Sequence, residues 1–441
     1  MSGHERFHYH NAEELLKKAA DLGLELPFQN SIEPLFSSLR IGEIELPNRI
    51  LVQPMEGCDA TPDGAPGEMT FRRYRRYALG GSGLIWFEAC SVSASGRSNP
   101  HQLMLTADTL EGFQRLVETT RKAARERFSS VPYFVLQMTH SGRRSMKDAG
   151  SRPRAACFNP NFDQSPDDVG IMQDDELESI GEQFAAAAGL ARAAGFDAVD
   201  IKACHGYLLH ELLGAFTRKG SRFGGSFENR SRMLLDIVRR VRDSIPGLGV
   251  AVRLNATDAI PHPYGFGMER TGSAAPDFSE PLRLQQRLLE SGCNLLNITA
   301  GIPSYMPHLG RPFDRPARGV SHPEADPLAG VCALLRWAAV FQRAQPAMPV
   351  VGTGYSWLRH FWPHVAAAVL SRNWASLVGL GRGSFAYPDA PRDLMAHGRL
   401  NPAKCCFACS CCTDLMVNHR MTGCVLRDPE VYKDIYRKLP K

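Results

Sequence analysis

The sequence predicts an α/β fold, a parallel (β/α)8 barrel of the TIM type. Two observations predict it. Eight short runs rich in Val, Ile, Leu and Phe recur along the 441 residues, and each leads into a stretch with helical spacing of apolar positions. Three long, Gly- and Pro-rich loops (141–173, 256–278 and 301–326) follow the third, fifth and sixth runs, so all three fall at one end of such a barrel.

Residues 1–32 precede the barrel and form a helical extension. Asn11 and Glu14 have the spacing of a capping box for a helix running to about residue 22. The stretch GEIELPNR reads as a hairpin closing one barrel end. Strands are expected at 49–55, 83–91, 131–140, 198–204, 249–255, 295–300, 348–354 and 375–381. Helices are expected at 68–79, 110–127, 175–194, 229–245, 279–291 and 328–343. The barrel spans 33–398, and a cysteine-rich segment, 399–441, follows it.

The totals exclude several classes. An apolar content of 44% and a charged content of 22% describe an ordinary globular chain. The net charge of +5 is mild, and its basic residues are scattered. Arg72, Arg73, Arg75 and Arg76 read as a solvated helix face, and Arg143 and Arg144 as loop residues, so nucleic acid is not an expected partner. The N-terminus lacks a signal-peptide pattern and no apolar run reaches membrane-spanning length, which places the protein in the cytoplasm. Of 12 cysteines, 6 fall between Cys405 and Cys424, a clustering that reads as a metal site rather than a disulfide framework.

The stretch that carries the chemistry is AVDIKACHGYLLHELL, a buried strand followed by Lys202, His205 and Tyr207. Polar groups at a strand's C-terminal end face the cleft where barrel ligands bind. All three side chains can donate a hydrogen bond to an oxygen that is becoming negative, and the phenol can also deliver a proton. Tyr264, Phe266, Tyr305 and His308, on the long loops, are candidate pocket walls.

IKACHGYLLHELL followed by GGSFENR resembles the active-site signature of the Old Yellow Enzyme family, FMN-dependent (β/α)8 barrels whose usual version reads H-x-x-H/N-G-Y-L-L-N. Lys202 stands where the first histidine would be, His205 matches the second member, Tyr207 matches the proton-donating tyrosine, and His210 replaces the asparagine. The resemblance runs through 33–398. Asn48-Arg49-Ile50 and Pro54-Met55 match the first strand, with Glu56 at the position that follows. Glu88-Ala89 followed by Gly96-Arg97 matches the second strand and its loop, and would set Ala89 over the flavin. The resemblance gives Gln137 to the flavin's pyrimidine edge and Arg253 to the neighbourhood of flavin N1, where a cation stabilises the reduced anionic ring. It gives the phosphate to Gly354, Gly381 and Arg382, where glycines admit backbone N–H groups and the guanidinium adds charge.

The cysteines extend the likeness to the iron–sulfur branch of that family, typified by 2,4-dienoyl-CoA reductase and trimethylamine dehydrogenase. Cys406, Cys409, Cys412 and Cys424 are close to the pattern that holds a 4Fe–4S cluster there. Cys405 with Cys409, or Cys411 in place of Cys412, are alternative ligands, and a structural zinc is the alternative metal. Those relatives continue through nucleotide-binding domains, whereas this sequence stops at Lys441. Electrons are therefore expected from NAD(P)H at the FMN face or from a separate ferredoxin or flavoprotein. The expected activity is reduction of an activated C=C bond in a small α,β-unsaturated carbonyl compound. A substrate-oxidising dehydrogenase or demethylase, and a non-catalytic cofactor-bearing barrel, are the alternatives.

Overall fold

The computed structural model describes residues 4–147, 152–271 and 275–440. Eight parallel strands close a barrel in chain order: Ile50–Val52, Leu84–Ser91, Tyr133–Thr139, Ala198–Ile201, Gly249–Asn255, Leu295–Thr299, Val350–Gly352 and Leu377–Leu380. Closure is made by the eighth strand beside the first, with Val378 opposite Ile50. These strands are buried on both faces, which is why they read as continuous apolar runs rather than alternating ones. The ladders are shorter than several of the expected runs because residues such as Met55 and Cys204 already belong to the loops at the C-terminal end.

The expected helices form around the barrel, among them Leu110–Arg127 and Ser279–Ser291. The GEIELPNR hairpin pairs Leu39–Ile41 with Ile44–Leu46. Its Ile41 and Leu46 pack with Leu51, Leu84, Trp86 and Val135, plugging the barrel at the end opposite the candidate site. The N-terminal helix, Ala12–Asp21, is capped as its sequence suggests: Asn11 accepts from the Glu14 N–H at 2.9 Å, and Glu14 accepts from the His10 N–H at 2.8 Å. Leu15 and Ala19 bury that helix against Leu328, Trp357 and Phe361. Among the described residues no helix is long and apolar enough to cross a membrane.

One expectation is corrected. Of the arginines of helix Glu68–Ala78 only Arg75 is exposed as a solvated face would be. Arg73 is buried and bonded to Asp59 and Glu88, while Arg72 and Arg76 both grip Asp428 at 2.7 and 2.6 Å. The Asp428 side chain makes no cap bond to its own helix, Pro429–Arg437; it ties the cysteine-rich segment down onto helix Glu68–Ala78. Arg143 is likewise buried, bonded to Asp163 and Glu211.

Candidate active site

Strand four ends at Ile201, and the chain then turns sharply. His205 and Gly206 both adopt positive φ, 63° and 76°, before the helix Leu208–Leu213 begins. A left-handed histidine is strained, so the turn is held by several bonds. The His205 N–H donates to Asn255 Oδ1 at 3.3 Å, the Gly206 N–H to His210 Nδ1 at 3.0 Å, and the Leu208 N–H to the His140 carbonyl at 3.1 Å. The His205 ring shares a hydrogen bond with Thr299 Oγ1 at 3.1 Å, at the end of strand six. Burial and the cations Arg253 and Lys202 push its pKa well below the ordinary value, so the imidazole stays neutral.

Lys202 Nζ lies 3.4 Å from the centroid of the Tyr207 ring, and among the described residues it has neither a hydrogen bond nor an ion pair. Burial lowers its pKa; the thiol of Cys204 and the carboxylate of Glu56 oppose that. Burial first, then the charge of Glu56, raises the Tyr207 phenol, which therefore keeps its proton at neutral pH. Glu56 itself accepts from Ser98 Oγ at 3.1 Å and Asn99 Nδ2 at 2.6 Å, and desolvation raises its pKa.

The remaining expected flavin residues are distributed around the same barrel mouth. Pro54 and Ala89 are buried, and Met55 Sδ lies 3.0 Å from where a Cβ on Gly381 would sit, so those two loops touch. Gln137 donates to Asp200 at 2.6 Å. Arg253 is buried and its Nε has no partner among the described residues. Gly354 has φ of 101°, which a side chain would strain. Arg382 is buried, donates to the Pro312 carbonyl, and its Nη1 has no partner among the described residues.

Several supporting residues escaped the sequence reading. Asp200, inside strand four, accepts from Trp86 Nε1 at 2.9 Å, from Gln137, and from the Arg253 N–H at 2.7 Å, and burial pushes its pKa up to about 6. Gln53 and Asn297 exchange two amide hydrogen bonds across the barrel at 3.2 and 2.8 Å. A Cβ on Gly379 would collide with that Gln53 amide, which fixes glycine there. The available signal was a lone polar residue within each apolar strand run. Phe266, expected to line the pocket, is instead in the hydrophobic core, because the loop folds its ring inward beside His210. Tyr264 lines a recess with His210 and Asp258, and Tyr305 is half-exposed against Phe162.

Cys406, Cys409, Cys411, Cys412 and Cys424 ring one recess with Arg382. Cys405 points away, its Sγ 3.6 Å from the Asn401 carbonyl. Among the described residues no three His, Cys, Asp or Glu side chains converge as a single metal ion would need. Five thiols lining one recess are a donor set that suits a thiophilic metal centre. Burial raises the Cys412 thiol to about 11 and the Cys424 thiol to about 12, and for Cys412 the guanidiniums of Arg382 and Arg311 oppose that rise. The segment is anchored to two barrel loops by three bonds: Thr422 N–H to the Gly57 carbonyl at 2.7 Å, and, on the loop after strand six, Asp314 N–H to the Ala408 carbonyl at 3.0 Å and Ser410 Oγ to the Arg315 carbonyl at 2.7 Å.

Lys202, Arg253 and Arg382 are thus buried cations, and Arg311 a half-buried one, without a carboxylate in ion-pair contact among the described residues. Leaving them so costs several kcal/mol apiece unless an anion joins them. A phosphorylated flavin with an electron-accepting ring, and a negatively charged cluster, both fit that deficit.

Residues 34–274, more than half of the chain, match the NADH:flavin oxidoreductase / NADH oxidase family. The chain belongs to that family. It is 27% identical over 381 residues to the NADH oxidase of Thermoanaerobacter brockii, covering 85% of this chain and 52% of that protein. It is 33% identical over 230 residues to the NADPH dehydrogenase of Bacillus subtilis (strain 168), covering 51% of this chain and 64% of the relative. The chain therefore spans about half to two thirds of the length of these curated members. Among solved structures it is similar to a 2-naphthoyl-CoA reductase, with a TM-score of 0.72, 20% identity, and coverage of 92% of this chain and 58% of that one. At that identity the likeness concerns the barrel fold.

Proposed function

We propose that the chain is an FMN-dependent oxidoreductase that reduces the activated C=C bond of a small α,β-unsaturated carbonyl compound. In this reading electrons come from NAD(P)H or from a separate ferredoxin or flavoprotein, relayed through a 4Fe–4S cluster held by Cys406, Cys409, Cys412 and Cys424. The observation that carries it is Tyr207, a phenol with no hydrogen-bond partner among the described residues, under the ammonium of Lys202 and one turn from a neutral His205.

When bound, FMN would supply hydride chemistry and the cluster one-electron chemistry. The chain's own residues do the rest. Lys202 brings a positive charge, and His205 a neutral N–H, to a carbonyl oxygen as charge builds on it. A neutral imidazole is a poor acid, so the proton for the substrate carbon comes from the Tyr207 hydroxyl. Arg253, its backbone N–H fixed by Asp200, would supply the cation that balances the reduced flavin's negative charge. Gly354, Gly381 and Arg382 would hold the phosphate, and Pro54, Met55, Glu56, Ala89 and Gln137 would surround the ring.

Oxidation of a cationic amine is the weaker reading. Lys202 and Arg144 both face the Tyr207 phenol, against the carboxylate of Glu56. An amine cation would be repelled there. The test is an anaerobic spectrum of purified protein, titrated with NADH, NADPH and reduced ferredoxin, then mixed with a conjugated enone. Flavin bleaching by a donor and recovery with the enone are expected. A reduced flavin that no unsaturated carbonyl reoxidises would overturn the reading.

A further inference from the structure

We propose that His210 and Asp258 are positioning residues that couple the loop after strand five to the turn carrying His205 and Tyr207. The idea rests on the reading of that turn as the active site. His210 Nδ1 accepts from the Gly206 N–H at 3.0 Å, so the neutral ring carries its proton on Nε2. Burial lowers the His210 pKa to about 3, so this tautomer persists at working pH.

The Nε2–H has no partner among the described residues although the side chain is 2% exposed. It points across a recess at Asp258 Oδ2, 3.7 Å away, too long for a direct bond. Gly206, Glu211, Tyr264 and Ile302 line the same recess, which is large enough to hold a water. A bridging water, or a small closure, completes the chain from Asp258 through His210 to the Gly206 N–H. Asp258 in turn accepts from the Ile260 N–H at 2.9 Å and the Phe266 N–H at 2.8 Å, so it also shapes the loop beyond strand five. Without His210 the left-handed pair His205–Gly206 loses the acceptor that fixes Gly206. With His210 in place, the aim of His205 and Tyr207 is tied to the loop beyond strand five; without it, that tie is lost.

His210→Ala, His210→Leu and His210→Asn separate this from simple packing. Leu fills the space but accepts nothing; Asn can accept from Gly206 and donate toward Asp258. Two readouts are taken on the full chain with its cofactors. One is hydrogen exchange of the peptide spanning 202–212, and the other is the rates of flavin reduction and enone reduction measured separately. Ala and Leu are expected to speed exchange and slow enone reduction about ten-fold or more, with flavin reduction within about two-fold, and Asn to restore both. Asp258→Ala should shift the same readouts and also speed exchange in the peptide spanning 259–268. Unchanged exchange in Ala or Leu, or an Asn variant as impaired as Leu, would overturn the proposal. If the native protein reduces no enone, the functional reading fails, and the exchange measurement still decides whether His210 holds the turn.

Discussion

Lys202 Nζ sits 3.4 Å from the centroid of the Tyr207 ring, a buried ammonium over the phenol beneath it. A cation–π contact of this kind contributes about 0.5–2 kcal/mol, less than the cost of burying the charge, and the lowered Lys202 pKa records that imbalance. Lys202→Met should therefore raise the melting temperature of the cofactor-free protein, by about 1–3 °C. The same change should cut enone reduction about ten-fold or more, because the carbonyl oxygen loses its cation. Calorimetry and steady-state kinetics check both. A variant that melts lower and reduces enones normally would show that the lysine is structural.

Tyr207→Phe removes only the hydroxyl. Enone reduction should slow by about 10²–10⁴, the usual size of a general-acid contribution, while flavin stays bound and its reduction rate stays within about two-fold. Stopped-flow measurement of the two half-reactions separates them. An unchanged oxidative half-reaction would mean that another acid acts.

The barrel was legible because its strands are buried on both faces and its site turn is local. Lys202, His205 and Tyr207 lie within six positions, so strand, turn and helix are read together. The misread residues depend on partners distant in sequence. Arg72 and Arg76 look solvated until Asp428 is brought beside them. Gln53 and Asn297 look like accidents in apolar strands until closure of the barrel sets them face to face. The same holds for Asp200, whose meaning comes from Trp86, Gln137 and the Arg253 backbone on neighbouring strands. Which of the six clustered cysteines face one recess is likewise a matter of packing, and the turn that sends Cys405 away has no signature in spacing.

Burial raises Asp200 to about 6 and Asp258 to about 7. Unfolded aspartates ionise near 3.9. Between pH 4 and each folded value, the folded chain therefore holds the more protons, and stability falls as pH rises. The contribution is full below about pH 4 and lost above about pH 7, at most on the order of 3–4 kcal/mol per group. Urea unfolding of the cofactor-free protein should give a higher midpoint at pH 5 than at pH 7.5. Asp258→Asn should narrow that gap. An identical gap in the variant would show that Asp258 does not titrate in this range.

Cys409 lines the recess with Cys406, Cys411, Cys412 and Cys424, whereas Cys405 does not. The two sets predict different losses. Cys409→Ser should lose most of its iron and acid-labile sulfide, and with them turnover supported by a protein electron donor, yet keep FMN reducible by dithionite. Cys405→Ser should keep both metal and activity. Cys411→Ser decides the ligand set: retention of the cluster leaves Cys412 as the third ligand of the spaced motif, and loss transfers that role to Cys411. The recess also contains Arg382 and borders the loop after strand eight, so the segment's cofactor would lie against the barrel end assigned to FMN. If Cys409→Ser retained its iron, or lost it and still turned over with the protein donor at the native rate, the cluster would not be the electron route.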